Sequence, residues 1–156
     1  MSDFRWLMMA VAGLGMSWSI HSAAAPGKDK EADVILPAGD IQWQPGPTEG
    51  THLANLWGDW RKNAPFGTLV RFDAGVMHPL HRHTRTLRIV VLSGTFVHQP
   101  EGGTETRLGP GSYVLQRGGL NHVSGCAPET ECEFFMSSNG KFDFIPVEEP
   151  AAGKKK

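Results

Sequence analysis

From Val34 onward the chain reads as a series of short apolar runs, each closed by a turn built on glycine or proline. This punctuation constrains the fold more than any other feature. The turns are Pro45-Gly46-Pro47, Asp73-Ala74-Gly75, Ser93-Gly94, Glu101-Gly102-Gly103, Gly109-Pro110-Gly111, Gly118-Gly119 and Asn139-Gly140. Glycine reaches backbone angles that other residues avoid and proline fixes φ, so such clusters reverse the chain. No 3.6-residue apolar period lasts longer than a few turns, and 19 glycines with 11 prolines in 156 residues favour strands and turns over helices. The runs between the turns predict eleven strands, at 41–43, 52–57, 68–72, 79–83, 87–92, 95–98, 105–108, 112–116, 122–126, 132–137 and 142–145. Short strands at this spacing form a sandwich or a barrel. Residues 55–61 fit either a short helix or a loop over one mouth of that barrel, and nothing repeats at a fixed period.

The N-terminus has a different character. Residues 6–20 are uncharged and mostly apolar, Arg5 precedes them, and the small residues Ser22-Ala23-Ala24-Ala25 follow, which is the pattern of a secretory signal. As a helix this run rises about 22 Å, short of a bilayer core of ~30 Å, so a cleaved signal is favoured over a permanent membrane span. Pro26 disfavours a cut directly before it, which places cleavage after Ala24. The expected organisation is a signal peptide over 1–24, a charged flexible leader over 25–33, one folded domain over 34–147 and a disordered tail over 148–156. Export places the mature chain in the periplasm or outside the cell.

Charge and motifs remove several classes of function. Lys and Arg number 15 against 16 Asp and Glu, a net charge of −1. The one run of like charge is the terminal Lys154-Lys155-Lys156, so no basic face is available for nucleic acid. The chain has no glycine-rich phosphate loop, no G-x-S-x-G elbow and no C-x-x-C pair. Nucleotide hydrolysis, serine-esterase chemistry and thiol redox exchange therefore lack their machinery.

Export also changes how the two cysteines read. Cys126 and Cys132 flank Ala-Pro-Glu-Thr-Glu between two apolar segments, an arrangement that predicts a hairpin. In an oxidising compartment two cysteines facing each other across such a turn can close a disulfide. Two separate thiols and a metal-binding role are the alternatives.

The histidines carry the chemistry. Of seven, His21 leaves with the signal. His81 and His83 form an H-x-H pair inside a predicted strand, so both side chains point to one face, as a chelating pair requires. His122 opens another strand. Glycines frame both positions: Gly75 and Gly94 around the pair, Gly111 and Gly119 ahead of His122.

These spacings resemble the cupin superfamily. Its first motif, G-x5-H-x-H-x3-4-E-x6-G, is met by Gly75, His81, His83 and Gly94. Its second, G-x5-P-x-G-x2-H, is met by Gly111, Gly119 and His122, with sixteen residues between the motifs. The likeness covers about residues 34–147 and is closest to small exported single-domain bacterial cupins of unassigned activity. It implies an all-β fold, the double-stranded β-helix or jelly-roll barrel, with a ligand site inside near one mouth. It also implies pairing through edge strands into a homodimer.

Two positions depart from the pattern. Leu87 stands where the motif has its glutamate and Arg117 where it has its proline. In cupins that keep the glutamate it joins the histidines on a metal, so the resemblance carries over only His81, His83 and His122 as ligands. Three neutral imidazoles suit Zn, Fe, Ni or Cu rather than Mg or Ca. A dication held without a carboxylate keeps its full charge, attracts anions, and leaves positions open for water, dioxygen or a substrate thiolate or carboxylate. Three-histidine cupins that oxidise thiols with iron are the nearest analogy, so the leading expectation is a metal site that binds or oxidises a small organic molecule in dioxygenase fashion. The alternative is a non-enzymatic cupin that senses or captures a small ligand after losing a catalytic metal.

Around this set, His98 shares a face with Phe96 and is a candidate to contact the ligand or the metal-binding side chains, as are Leu87, Tyr113 and Gln116. Only strand parity decides whether Tyr113 and Gln116 face the pocket. His78 lies on the opposite pleat from His81 and His83 in a regular strand, unless Pro79 breaks it. Arg88 alternates with Leu87 and belongs to the surface. Trp43, Trp57 and Trp60 read as core or rim residues.

Overall fold

The structure, a computed structural model, describes residues 32–148. The expected signal segment, nearly all of the leader and the tail from 149 lie outside the described residues. Among those described, no helix is long and apolar enough to cross a membrane, and the one helical element is a 3-10 turn at Ala38–Asp40.

The strands are β1 (Gln44–Pro45), β2 (Thr51–Trp57), β3 (Phe66–Phe72), β4 (Met77–Arg82), β5 (Leu87–Ser93), β6 (Phe96–Pro100), β7 (Thr106–Leu108), β8 (Tyr113–Gln116), β9 (His122–Cys126), β10 (Cys132–Ser138) and β11 (Ile145–Pro146). They form a six-stranded sheet in the order β1-β2-β3-β10-β5-β8 and a five-stranded sheet in the order β11-β4-β9-β6-β7, antiparallel throughout. This is the jelly-roll expected. The eleven predicted strands correspond to these eleven except at the two ends. The first is 44–45 rather than 41–43, and the last is reduced to 145–146 because residues 142–144 run as a coil across the barrel mouth. Residues 55–57 end β2, and the chain turns at 58–61 instead of forming a helix.

Alternation explains the core. Along β10 every second residue is buried, and β5 buries Leu87, Ile89 and Val91 while Arg88, Val90 and Leu92 face out. Phe66, Phe96, Phe134 and Met136 fill the space between the sheets, each worth about 1.5–3 kcal/mol in buried apolar surface.

The cysteines are joined, with Cα atoms 5.8 Å apart, but not in a hairpin. β9 pairs with β4 and β6 while β10 pairs with β3 and β5. The 127–131 link therefore passes from one sheet to the other, and the bridge fastens the two layers together. Gly94 lies against this link at φ +67, where a Cβ would fall 2.3 Å from the Glu131 carbonyl oxygen; both facts demand glycine. Replacing both cysteines by serine is expected to lower stability by about 2 kcal/mol, the loop-closure entropy of so short a ring. Urea unfolding of the two proteins under non-reducing conditions checks this, and equal midpoints would refute it.

Candidate metal centre

Two elements bring the histidines together. β4 delivers His81, with His83 one residue past its end, and β9 begins at His122. His81 and His122 are direct partners across the β4–β9 ladder, where facing Cβ atoms lie about 4.5–5.5 Å apart. His83 follows His81 by two residues and shares its face. All three are buried, at 1%, 5% and 3% exposure, and one ring nitrogen from each lies within 4.8 Å of the others. Ring centres are 4.3 Å apart for His81 and His122, 5.0 Å for His81 and His83, and 5.2 Å for His83 and His122.

The backbone fixes the tautomers. Nδ1 of His81 donates to the Pro79 carbonyl at 2.7 Å, Nδ1 of His122 to the Leu120 carbonyl at 3.1 Å, and Nδ1 of His83 to the Asp143 carbonyl. A carbonyl only accepts, so each Nδ1 carries the proton and each Nε2 presents a lone pair. Burial pushes the pKa of His81 down to about 3 and that of His83 to about 4, against the pull of their carbonyl bonds, and lowers that of His122. The rings are neutral at physiological pH. His122 Nε2 is buried without a hydrogen-bond partner, a state that costs about 1–3 kcal/mol. Three oriented lone pairs, one of them orphaned, fit a transition metal.

The surroundings are apolar. A narrow cavity of about 40 Å³ runs between the sheets beside His81 and His83, walled by Leu53, Val70, Phe72, Ile89, Phe96 and Phe134. Leu87, 1% exposed, lies on the same wall opposite Gln116. Among the described residues, no carboxylate side chain lines this cavity. Gln116 points inward, and its amide donates to His98 Nδ1 at 3.3 Å. His98, half-buried, sits 5.1 Å from the His122 ring, and burial lowers its pKa to about 4.

Two expectations need correction. Tyr113 is 58% exposed and points away from the site, because β8 buries Val114 and Gln116 and so turns Tyr113 and Leu115 outward. His78 does not lie on the opposite pleat. The β4–β9 register shifts between His78 and His81, around Pro79, so all three histidines of this segment turn inward. The His78 ring packs 4.8 Å from Phe72, and its Nε2 meets Thr48 Oγ1 at 2.9 Å. Trp60 packs against the core and edge-on to Phe142, Trp43 lies under the Arg71 guanidinium, and Trp57 is largely exposed.

The segment 142–147 holds what the sequence did not disclose. Phe144 stacks on His81 at 4.4 Å, Phe142 lies 5.1 Å from His83, and the Asp143 backbone accepts from His83 while its carboxylate accepts from Thr84 N and Oγ1. β11 then pairs Pro146 with His81 and Ile145 with Arg82. These residues form a strap over the histidines, fastened at both ends. Its only signal in the sequence is the alternation Phe142, Phe144, which reads equally well as an ordinary strand.

Two antiparallel sheets rolled into a jelly roll, with an H-x-H pair and a third histidine converging between them, define a cupin. Residues 31–142 match the family model of the ChrR cupin-like domain, and the chain belongs to that family. Among solved structures it is similar to the polyketide cyclase RemF of Streptomyces resistomycificus, with a TM-score of 0.64 and 17% identity over 77% of this chain and 89% of that one. It also resembles a cupin-2 domain protein of Rhodospirillum rubrum, with a TM-score of 0.59 and 15% identity over 75% and 81%. A third similar structure is the Rhodobacter sphaeroides complex of SigE with the anti-sigma ChrR, with a TM-score of 0.53 and 20% identity over 66% and 51%. At these identities the likeness speaks for the fold alone. No curated protein matches the chain.

Proposed function

We propose that this cupin is exported and holds one divalent transition metal, Fe, Zn, Ni or Cu, on the Nε2 atoms of His81, His83 and His122, where it binds or oxidises a small organic molecule. The observation that carries this reading is the tautomer set: three Nδ1–H groups spent on backbone carbonyls, which leaves each Nε2 free to bind, in three rings that each bring a nitrogen within 4.8 Å of the others. A bound dication there supplies Lewis acidity and open coordination positions for an anionic donor or dioxygen. The protein's own part is to orient and to exclude water. The carbonyls of Pro79, Leu120 and Asp143 lock the rings, Phe144 shields His81, and Leu87 with the aromatic walls keeps the surroundings of the rings apolar. Gln116 and His98 offer polar groups at the margin. The disulfide between buried cysteines supports the exported setting.

Metal analysis of protein stripped and reconstituted with each ion tests the reading. About one equivalent is expected, and less than about 0.2 would remove it. Oxygen uptake by the iron-loaded protein with thiols and catechols then separates oxidation from binding. A second reading, capture or sensing of a small ligand without catalysis, is favoured by Leu87 and by the absence, among the described residues, of a carboxylate side chain on the cavity wall. A stabilising ligand found by thermal shift in metal-free protein would support it.

A further inference from the structure

A second hollow lies on the outside of the six-stranded sheet, and we infer that it binds a small ligand bearing two or more oxyanion groups, of phosphate or carboxylate type. Arg85, Arg88 and Arg117 line it, together with Thr86, Ser138 and Asn139. Strand register brings the arginines together. Arg88 faces outward on β5 opposite Leu115 of β8, and Arg117 lies two residues beyond Leu115 on the same outward alternation, which makes it the diagonal neighbour of Arg88. Arg85 enters from the β4–β5 turn and lays its side chain over Gly140, where a Cβ would come within 3.0 Å of its Nε. The floor is held in place: the Gly118 amide donates to Thr86 Oγ1 at 3.2 Å, and Ser138 Oγ donates to the Thr86 carbonyl at 3.1 Å.

Charge singles this hollow out. Elsewhere, Arg61 pairs with Asp59, Arg71 with Glu133 and Arg107 with Glu129. Among the described residues none of the three arginines here makes an ion pair, and no aspartate or glutamate lines the hollow. The acidic group that reaches a lining residue, Asp143, is engaged with the N–H and hydroxyl of Thr84. Three cations converging without a counter-charge repel one another, and an anion seated between them relieves that repulsion. The guanidinium fork matches phosphate and carboxylate oxygens two at a time, which gives the site its class of ligand. Three separate guanidinium forks around one open hollow favour a ligand with more than one anionic group. The hollow is separate from the histidine cluster: Arg88 and Arg117 face out where Leu87 and Gln116 face in.

Calorimetric titration of the full chain, stripped of metal and in low salt, with pyrophosphate and separately with citrate, tests the inference. Saturable one-to-one binding of at least one probe is expected, and the tighter arm assigns phosphate or carboxylate as the source. The exposed double substitution R88Q/R117Q should weaken that binding at least about tenfold with an unchanged melting temperature, while R107Q, on β7 of the other sheet, leaves it intact. If the double variant does not fold, R85Q serves in its place with the same expectation. Absence of saturable binding for both probes, or equal affinity in the arginine variants, would overturn the site.

Discussion

His122→Ala is expected to lower metal affinity by more than about a hundredfold while costing the metal-free protein only about 1–3 kcal/mol of stability. Loss of a supporting outer partner alone costs 10–100-fold, so loss of a ligand must exceed it. The stability side has two opposing parts. Deleting the buried ring opens a cavity and leaves the Leu120 carbonyl without its donor, which destabilises, but it also removes the unpartnered Nε2 and its desolvation cost of about 1–3 kcal/mol. The second part offsets the first only in part. Competition against a chromophoric chelator reads the affinity, and melting with and without metal reads the stability. An unchanged affinity would locate the metal away from these histidines.

Leu87→Glu should split the two states of the protein in opposite directions. In the metal-free form it puts a carboxylate on an apolar wall at a position 1% exposed, which costs several kcal/mol if ionised and drives the group towards its neutral form. A folded-state pKa raised above the unfolded value near 4.3 means that the unfolded chain binds fewer protons, so stability falls as pH rises from about 4. The metal-free variant is therefore expected to be least stable at neutral and alkaline pH. With metal bound, the same carboxylate becomes a charged oxygen donor that tightens binding. The gap in melting temperature between metal-free and metal-loaded protein should widen well beyond that of the parent. A gap no wider than the parent's would mean that residue 87 does not reach the metal.

Much of this architecture was legible because its signals are local. Turn clusters and period-two alternation mark nine of the strands closely, and an H-x-H pair can only share a face. What failed depended on register. Pro79 displaces the β4–β9 ladder between His78 and His81, and one shifted residue moves an imidazole from the outside to the cavity. Tyr113 and Gln116 were open to either parity until the pairing of Gln116 with Leu87 settled both. The cysteine segment has the composition of a hairpin, yet its flanking strands find partners in different sheets, a long-range choice that the five residues between the cysteines do not encode. Asp143 contributes through its backbone carbonyl, a group every residue has, so nothing in its identity announces the bond to His83.

The strap has a bearing on how the protein matures. Its residues lie some sixty positions after His83 in the sequence, so during synthesis both members of the H-x-H pair, and His122 after them, emerge before Asp143 and Phe144 can reach them. Until they do, His81 lacks the covering ring of Phe144 and His83 lacks the Asp143 carbonyl that orients it. The strap can cover the rings only once the chain has folded back over them, so a metal taken up before that would lie beneath it.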